Sequence, residues 1–421
     1  MWKICASFLL TSLTTALVLP QRDTQTALNL PFSTAGRDII DSTGNVFFMT
    51  GVNWPAHQEA MIPEGLQYSS IKDIVAWVPR LGLNTIRLTY ATRMIDDIYA
   101  NDPNQSLELS LINSLGQENG TKILTDILRN NPQFTKDTTR LQIFDAAARE
   151  MAAQGVLLHL DNHMSEATWC CSLNDGNGWF GEEMFDVDKW IRGWSWIAKH
   201  AADNWPTFVG AGLRNELRDA NVTAYPIDWY TWYEKMTAAA DAVHKAAPEA
   251  LIFFSGLDFD TVIDPVPLGL TLNGTVGTST EGKTTQFNPA DFQYSDKIVL
   301  EIHKYDNEET QDPCPVFIEK WYEKGFQALN EADERTMYFF PVILSEWGFL
   351  QDGEYWNKTT YNRCTIEMVQ KYKFGWMQWA LGGSYYIRQG IQNYDETWGL
   401  LTRDWSQLRS EYSVQNSLEL M

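Results

Sequence analysis

Positive charge is what this sequence has least of: 32 Lys+Arg stand against 54 Asp+Glu in 421 residues, a formal net charge of -22. Such a chain repels phosphate backbones and anionic lipid heads, so neither nucleic acid nor a membrane surface is expected as a partner. Long hydrophobic runs are missing too. Beyond the N-terminus no eighteen apolar residues follow one another, and no candidate span remains. Neither G-x-G-x-x-G nor a phosphate-binding loop occurs, which removes the Gly-rich first turn that a doubly wound dinucleotide-binding sheet would want. There is no internal repeat and no appended binding module.

What is present suits one large core. The composition is 44% hydrophobic and 20% charged, too apolar for disorder. The 18 Trp, 17 Tyr and 20 Phe exceed the needs of an ordinary core, and aromatic faces are what sugar rings stack on; packing is expected to account for most of them. Residues 1–16 hold one base, Lys3, an apolar stretch from Ile4 to Leu10, and small Thr14 and Ala16 at the minus-three and minus-one positions. They read as a cleaved secretory signal, followed by a single domain over 17–421 and placing the protein outside the cell. Cleavage removes Cys5 and leaves Cys170, Cys171, Cys314 and Cys364, for which two disulfides are expected in any of three pairings. Asn104, Asn119, Asn221, Asn273 and Asn357 sit in glycosylation contexts.

Eight apolar runs read as strands: 45–53, 84–90, 156–163, 208–218, 251–257, 297–305, 340–349 and 374–381. Helical spacing falls between most of them, at 71–81, 141–154, 188–204, 229–243, 316–329 and 361–372, and residues 400–418 close the count. On 188–204 the tryptophans share one face and read as core. The polar stretch 94–138 reads as a loop insertion with a little helix of its own. Residues 258–296 show no helical period, so a regular helix is missing or displaced there. Strand and helix alternating eight times in one chain predict an α/β fold, a (β/α)8 TIM barrel with long βα-loop insertions.

In such a barrel the working residues lie at the C-terminal ends of the strands. Polar residues fall there repeatedly: Arg87, His163, Asn215, Glu216, His303, Tyr305, Glu346 and Trp379. FPVILSEWGF delivers Glu346 and FVGAGLRNELR delivers Glu216, and two facing glutamates can serve as nucleophile and acid/base of a glycosidase. A single glutamate at a strand end could equally cap a helix or pair with an arginine; Asn215 and Trp347 beside the two favour chemistry. Glu301, one layer below His303, is expected to be paired and structural.

At these residues the chain resembles glycoside hydrolase family 5, the cellulase-related family of clan A. The motifs are LRNELR, IHKY, LSEWGF, LGLNTIR, LDNH and MQWAL, in the family's order over nearly the whole mature chain. The resemblance implies a retaining β-glycosidase acting on a β-linked glucan, mannan or glycoside, with no cofactor and no metal, as a monomer. It implies Glu216 as acid/base and Glu346 as nucleophile. Asn215 would hold the sugar 2-hydroxyl, His303 and Tyr305 would orient the carboxylates, Arg87 and His163 would hold the nucleophile's surroundings, and Trp379 would floor the minus-one subsite. Trp54, His57, Trp169 and Trp179 each fit subsite lining and loop packing equally well.

Two other classes compete. His159, Asp161 and His163 alternate along one strand and could ligate a metal in a hydrolase of another kind. A non-catalytic sugar-binding barrel would need neither glutamate. The DGNG run at 175–178 resembles the start of a calcium loop, but Trp179 stands at a ligand position and no glutamate falls twelfth, so it reads as a turn.

Overall fold

In the computed structural model, which describes residues 28–307 and 309–421, eight strands pair in parallel and close on themselves. They are β1 (Thr50–Trp54), β2 (Thr85–Ala91), β3 (Leu157–Met164), β4 (Phe208–Gly212), β5 (Leu251–Ser255), β6 (Ile298–Tyr305), β7 (Val342–Gly348) and β8 (Gly375–Gln378). Each pairs the next, and β8 returns to β1 through Trp376–Thr50, Met377–Gly51 and Gln378–Val52. The fold is the (β/α)8 barrel that the alternation predicts. β2, β3, β5 and β7 are buried at every position, as strands must be when one face fills the barrel and the other carries helices. Leu157, Leu251, Phe253, Val299 and Ile343, near the strand starts, pack with Phe32 and Ile39 of the N-terminal hairpin, which plugs the bottom. The chemistry is therefore left to the top. The predicted signal and Cys5 lie outside the described residues.

Several elements differ from their predicted form. Residues 94–138 are mostly helix, Thr92–Tyr99, Leu107–Leu115 and Gln117–Asn130, rather than loop. The last two pack against each other at Gly120, where a Cβ would meet the Ile112 Cα at 2.7 Å. The 71–81 helix is two short pieces, Ile71–Val75 and Trp77–Arg80. The 316–329 helix stops at Tyr322, because Gly325 turns the chain with φ 138°, and resumes as a 3-10 turn at Phe326–Leu329. No α-helix lies between β5 and β6 among the described residues before Cys314–Tyr322; a two-stranded sheet, Thr271–Asn273 with Thr284–Gln286, occupies that insertion. After β8 comes a hairpin, Ser384–Arg388 with Ile391–Asp395, and 400–418 keeps only the short helix Glu411–Gln415.

The cysteines form two bonds. Cys314–Cys364, Cα atoms 4.8 Å apart, ties the helices after β6 and after β7, while Cys170 pairs with its neighbour Cys171 in the β3 loop.

Candidate active site

Strand β4 ends at Gly212, six residues short of its predicted end, so Asn215 and Glu216 stand on the loop beyond it. Three contacts fix that loop. The buried indoles of Trp190 and Trp194, one turn apart on the helix Val187–Asn204, both donate to the Leu213 carbonyl, at 2.9 and 2.8 Å. Asn215 N–H donates to the Asn162 carbonyl on β3 at 3.0 Å. Glu216 itself has φ 47°, a left-handed conformation costing a non-glycine residue about 1–3 kcal/mol. It is held there from both sides: its N–H donates to Asp260 Oδ2 at 2.7 Å, and its carbonyl accepts from Arg218 Nη1 at 2.8 Å.

Across the barrel mouth, the β6–β7 register shifts between Ile302 and His303, which sets Glu346 opposite His303. A carboxylate oxygen of Glu216, one of Glu346 and a His303 ring nitrogen all lie within 4.8 Å of one another. The two carboxyls are held differently. Glu346 accepts from Arg87 Nη1 at 2.5 Å and from the Tyr305 hydroxyl, with His163 Nδ1 at 3.9 Å. Glu216 meets His303 Nδ1 at 3.1 Å and the Cys170 sulfur at 3.9 Å, and no lysine or arginine among the described residues forms an ion pair with its carboxyl. Burial pushes the Glu216 carboxyl up to about 7 against the pull of Arg218 and Arg87. Burial raises Glu346 as well, opposed by His303 and Arg87. Desolvation holds His303 down to about 4, so its ring is neutral near neutrality; with Nδ1 donating to Glu216, Nε2 accepts from Ser345 Oγ at 3.1 Å.

Arg87 is the hub beneath. Fully buried on β2, it donates to Asn53, Asp161 and Asn215 at 2.9, 2.7 and 2.9 Å besides Glu346, and its Nε lies 4.0 Å from Glu301. Gly212 leaves room for this layer: a Cβ there would meet His159 Nε2 at 2.8 Å and Asp161 Oδ1 at 3.1 Å. Trp379 follows β8 and stacks on His163, ring centroids 5.3 Å apart, and both line a cavity of about 770 Å³ that also holds the two glutamates, His303 and Tyr305. A second hollow of about 740 Å³, which Trp169 also lines, is bordered by neither glutamate.

All eight predicted residues therefore meet in one neighbourhood. Of the four aromatic or imidazole candidates in loops, Trp169 lines the cavity, whereas Trp54, Trp179 and His57 are buried in packing. The strand-three metal set does not converge among the described residues: His163 Nδ1 bonds Asp161, Asp161 bonds Arg87, and His159 packs on the Phe253 ring. Sequence reasoning missed Asp260, Arg218, Trp398, which lines the cavity with its ring centroid 5.7 Å from that of Tyr305, and the place of the paired cysteines in the cavity wall. Asp260 had no signal to find, since it lies in an aperiodic stretch where three successive residues, Asp258 to Asp260, have positive φ.

The buried acids set an unusual pH dependence of stability. Glu64, Asp161, Glu216, Asp260, Glu301, Glu346 and Glu396 are all pushed up by burial, so the folded state binds more protons than the unfolded one. Their contribution is full below the unfolded carboxyl range and is lost as pH rises through the raised values, about 7 for Glu216. Buried His57, His159, His163 and His303 are pushed down and act oppositely, destabilising as pH falls below about 6.5, but they are fewer. The protein should melt at a higher temperature near about pH 5 than near about pH 7.5. Calorimetry showing the reverse order would mean that burial does not raise these carboxyls as a set.

Comparison with known proteins agrees with this architecture. Residues 40–384 match the family described as Cellulase (glycosyl hydrolase family 5). A glycosyl hydrolase 5 family protein of Chamaecyparis obtusa is 30% identical over 403 residues, covering 93% of this chain and 66% of that protein. Endoglucanase B of Acetivibrio thermocellus is 24% identical, covering 88% of this chain and 66% of its own length. The chain thus spans about two thirds of these curated relatives. A cellotetraose complex of a Pyrococcus horikoshii endocellulase variant superposes with TM-score 0.65 at 19% identity, covering 94% of this chain and all of that one, a likeness of fold.

Proposed function

Because the chain belongs to glycosyl hydrolase family 5, we propose that it is a retaining β-glycosidase that cleaves O-glycosidic bonds of a β-linked glucan or glycoside by double displacement. The observation that carries the reading is the approach of Glu216 and Glu346 within 4.8 Å, close to the roughly 5–5.5 Å of retaining enzymes and too near for the intervening water of an inverting one. Glu346 is the nucleophile. Arg87 and Tyr305 donate to its two oxygens, which favours the ionised form and aims it at the anomeric carbon. Glu216, raised by burial, keeps the proton that the departing oxygen needs, and afterwards takes one from the water that releases the sugar. Neutral His303 orients Glu216, His163 supports the nucleophile's side, Asn215 offers its amide to the 2-hydroxyl, and Trp379 supplies the apolar floor on which a sugar ring stacks.

The relatives named endoglucanase point to β-glucan as substrate class. Secretion fits the Cys314–Cys364 bond and the exposed sequon residues Asn119, Asn221, Asn273 and Asn357. A panel of aryl β-glycosides, β-glucans and mannans tests the activity, with the first-formed product read by NMR. A β product is expected, and exhaustive chelation should leave turnover unchanged. An α product, or loss with EDTA that zinc or manganese restores, would overturn the carboxylate mechanism.

A further inference from the structure

The β3 loop brings two adjacent cysteines into the catalytic cavity, and the proposed chemistry above gives them no part. Cys170 and Cys171 line the same cavity as Glu216, Glu346 and Trp379. The side chain of Asn215 lies between Arg87 and this pair: its Oδ1 accepts from Arg87 Nη2 at 2.9 Å, while its Nδ2 points at the Cys170 and Cys171 sulfurs, 3.4 and 3.6 Å away. Sulfur is a weak acceptor, so the pair aims the amide without saturating it and leaves its protons available to a sugar hydroxyl. Cys170 Sγ also lies 3.9 Å from Glu216 Oε2, the oxygen that His303 does not touch. Arg218 ties the loop to the same glutamate. Its Nε donates to the Ser172 carbonyl at 3.0 Å, its Nη2 to Asp175 at 2.6 Å and its Nη1 to the Glu216 carbonyl at 2.8 Å.

We propose that the Cys170–Cys171 disulfide is a positioning element of the active site, which aims the Asn215 amide and screens the outer oxygen of Glu216 from water. The proposal rests on the two-glutamate reading. Opening the bond gives two separate thiols in place of one fixed apolar wall. The amide loses its guide, and water reaches Glu216. An acid that is better solvated ionises at lower pH, so the protonated form needed for leaving-group departure is lost earlier as pH rises.

The test uses the full chain carrying Cys314→Ala and Cys364→Ala, in which Cys170–Cys171 is the disulfide left among the described residues. A water-soluble phosphine then delivers two electrons, with two protons from water, to the sulfur pair; the phosphine leaves as its oxide and two thiols appear, counted with a thiol reagent. Turnover of an aryl β-glycoside with a poor leaving group should fall by about 10-fold in kcat, with KM changed less than about 3-fold. The basic limb of the kcat profile should move to lower pH, and reoxidation should restore both. A dinitrophenyl glycoside, which needs no proton donor, should lose less in forming its glycosyl-enzyme, because only the Asn215 part of the effect remains. If the bond resists the phosphine, Cys170→Ala with Cys171→Ala takes its place and is read the same way. An unchanged kcat and pH profile after loss of the bond would overturn the proposal. Glu216→Ala, assayed on the poor-leaving-group substrate, separates the two ideas: if it is inactive there while the disulfide is silent, only this inference falls, whereas full turnover of that substrate by Glu216→Ala removes the two-glutamate reading itself.

Discussion

Glu346→Ala should lose turnover on every substrate, by about 10⁵-fold or more, whatever the leaving group. In the proposed mechanism the first displacement forms a bond from the Glu346 oxygen to the anomeric carbon, and Arg87 and Tyr305 donate to the carboxylate that the substitution removes. Glu216→Ala should behave differently. Proton donation contributes only with a poor leaving group, so a dinitrophenyl glycoside should still load the enzyme, after which the missing base stalls its release. Azide separates the two. In Glu216→Ala it should attack the glycosyl-enzyme and give the β-glycosyl azide; in Glu346→Ala it should occupy the vacated space and give the α-glycosyl azide. Exchanged products would reverse the assignment of the two carboxyls. Rescue of neither, in folded variants, would place the chemistry elsewhere.

The barrel was legible because its strands start as apolar runs that are buried on both faces. VILSEWG and LLHLDNHM each carry a buried run that ends on polar side chains, and that contrast is what a parallel strand opening into a site must show. The gathering of Arg87, His163, His303 and Glu346 follows directly, since each lies within a strand. What lies beyond strand ends was harder to read. FVGAGLRNELR continues as an apolar pattern through Leu217, yet β4 stops at Gly212, because the next residues bond to the Phe253 and Asn162 carbonyls of the two neighbouring strands rather than continuing the ladder. The helices within 94–138 were obscured by polar exposed faces and by close packing at Gly120, which costs helix propensity while serving contact between helices. Asp260 reaches Glu216 only because three residues in succession adopt the left-handed conformation, and the sequence DFD carries no glycine or asparagine to announce it. Periodicity encodes regular elements and is silent about a side chain presented by an irregular turn.

Arg87→Met should be the most destabilising substitution in the site, and its pH dependence should identify the cause. The guanidinium touches Asp161 and Glu346 directly and stands 4.0 Å from Glu301, all of them buried. Methionine fills much of the same space but leaves those carboxylates without their cation, a loss of about 3–5 kcal/mol when a buried pair is broken. Urea titration at pH 7 should register that loss. Each orphaned carboxyl then has its folded pKa raised further, since Arg87 is a lowering influence on all three. By linkage, stability tied to a raised pKa is present below the unfolded value and lost as pH climbs through the folded one, so the deficit should be largest near neutrality and shrink toward about pH 4. A cavity or packing fault would cost the same at both ends of that range. Arg87→Lys should fall between, because a compact ammonium cannot donate at once to Glu346, Asp161, Asn53 and Asn215 as the planar fork does. A deficit for Arg87→Met that is independent of pH would show that the arginine is held for its shape, and the ionised nucleophile would then need another source of stabilisation.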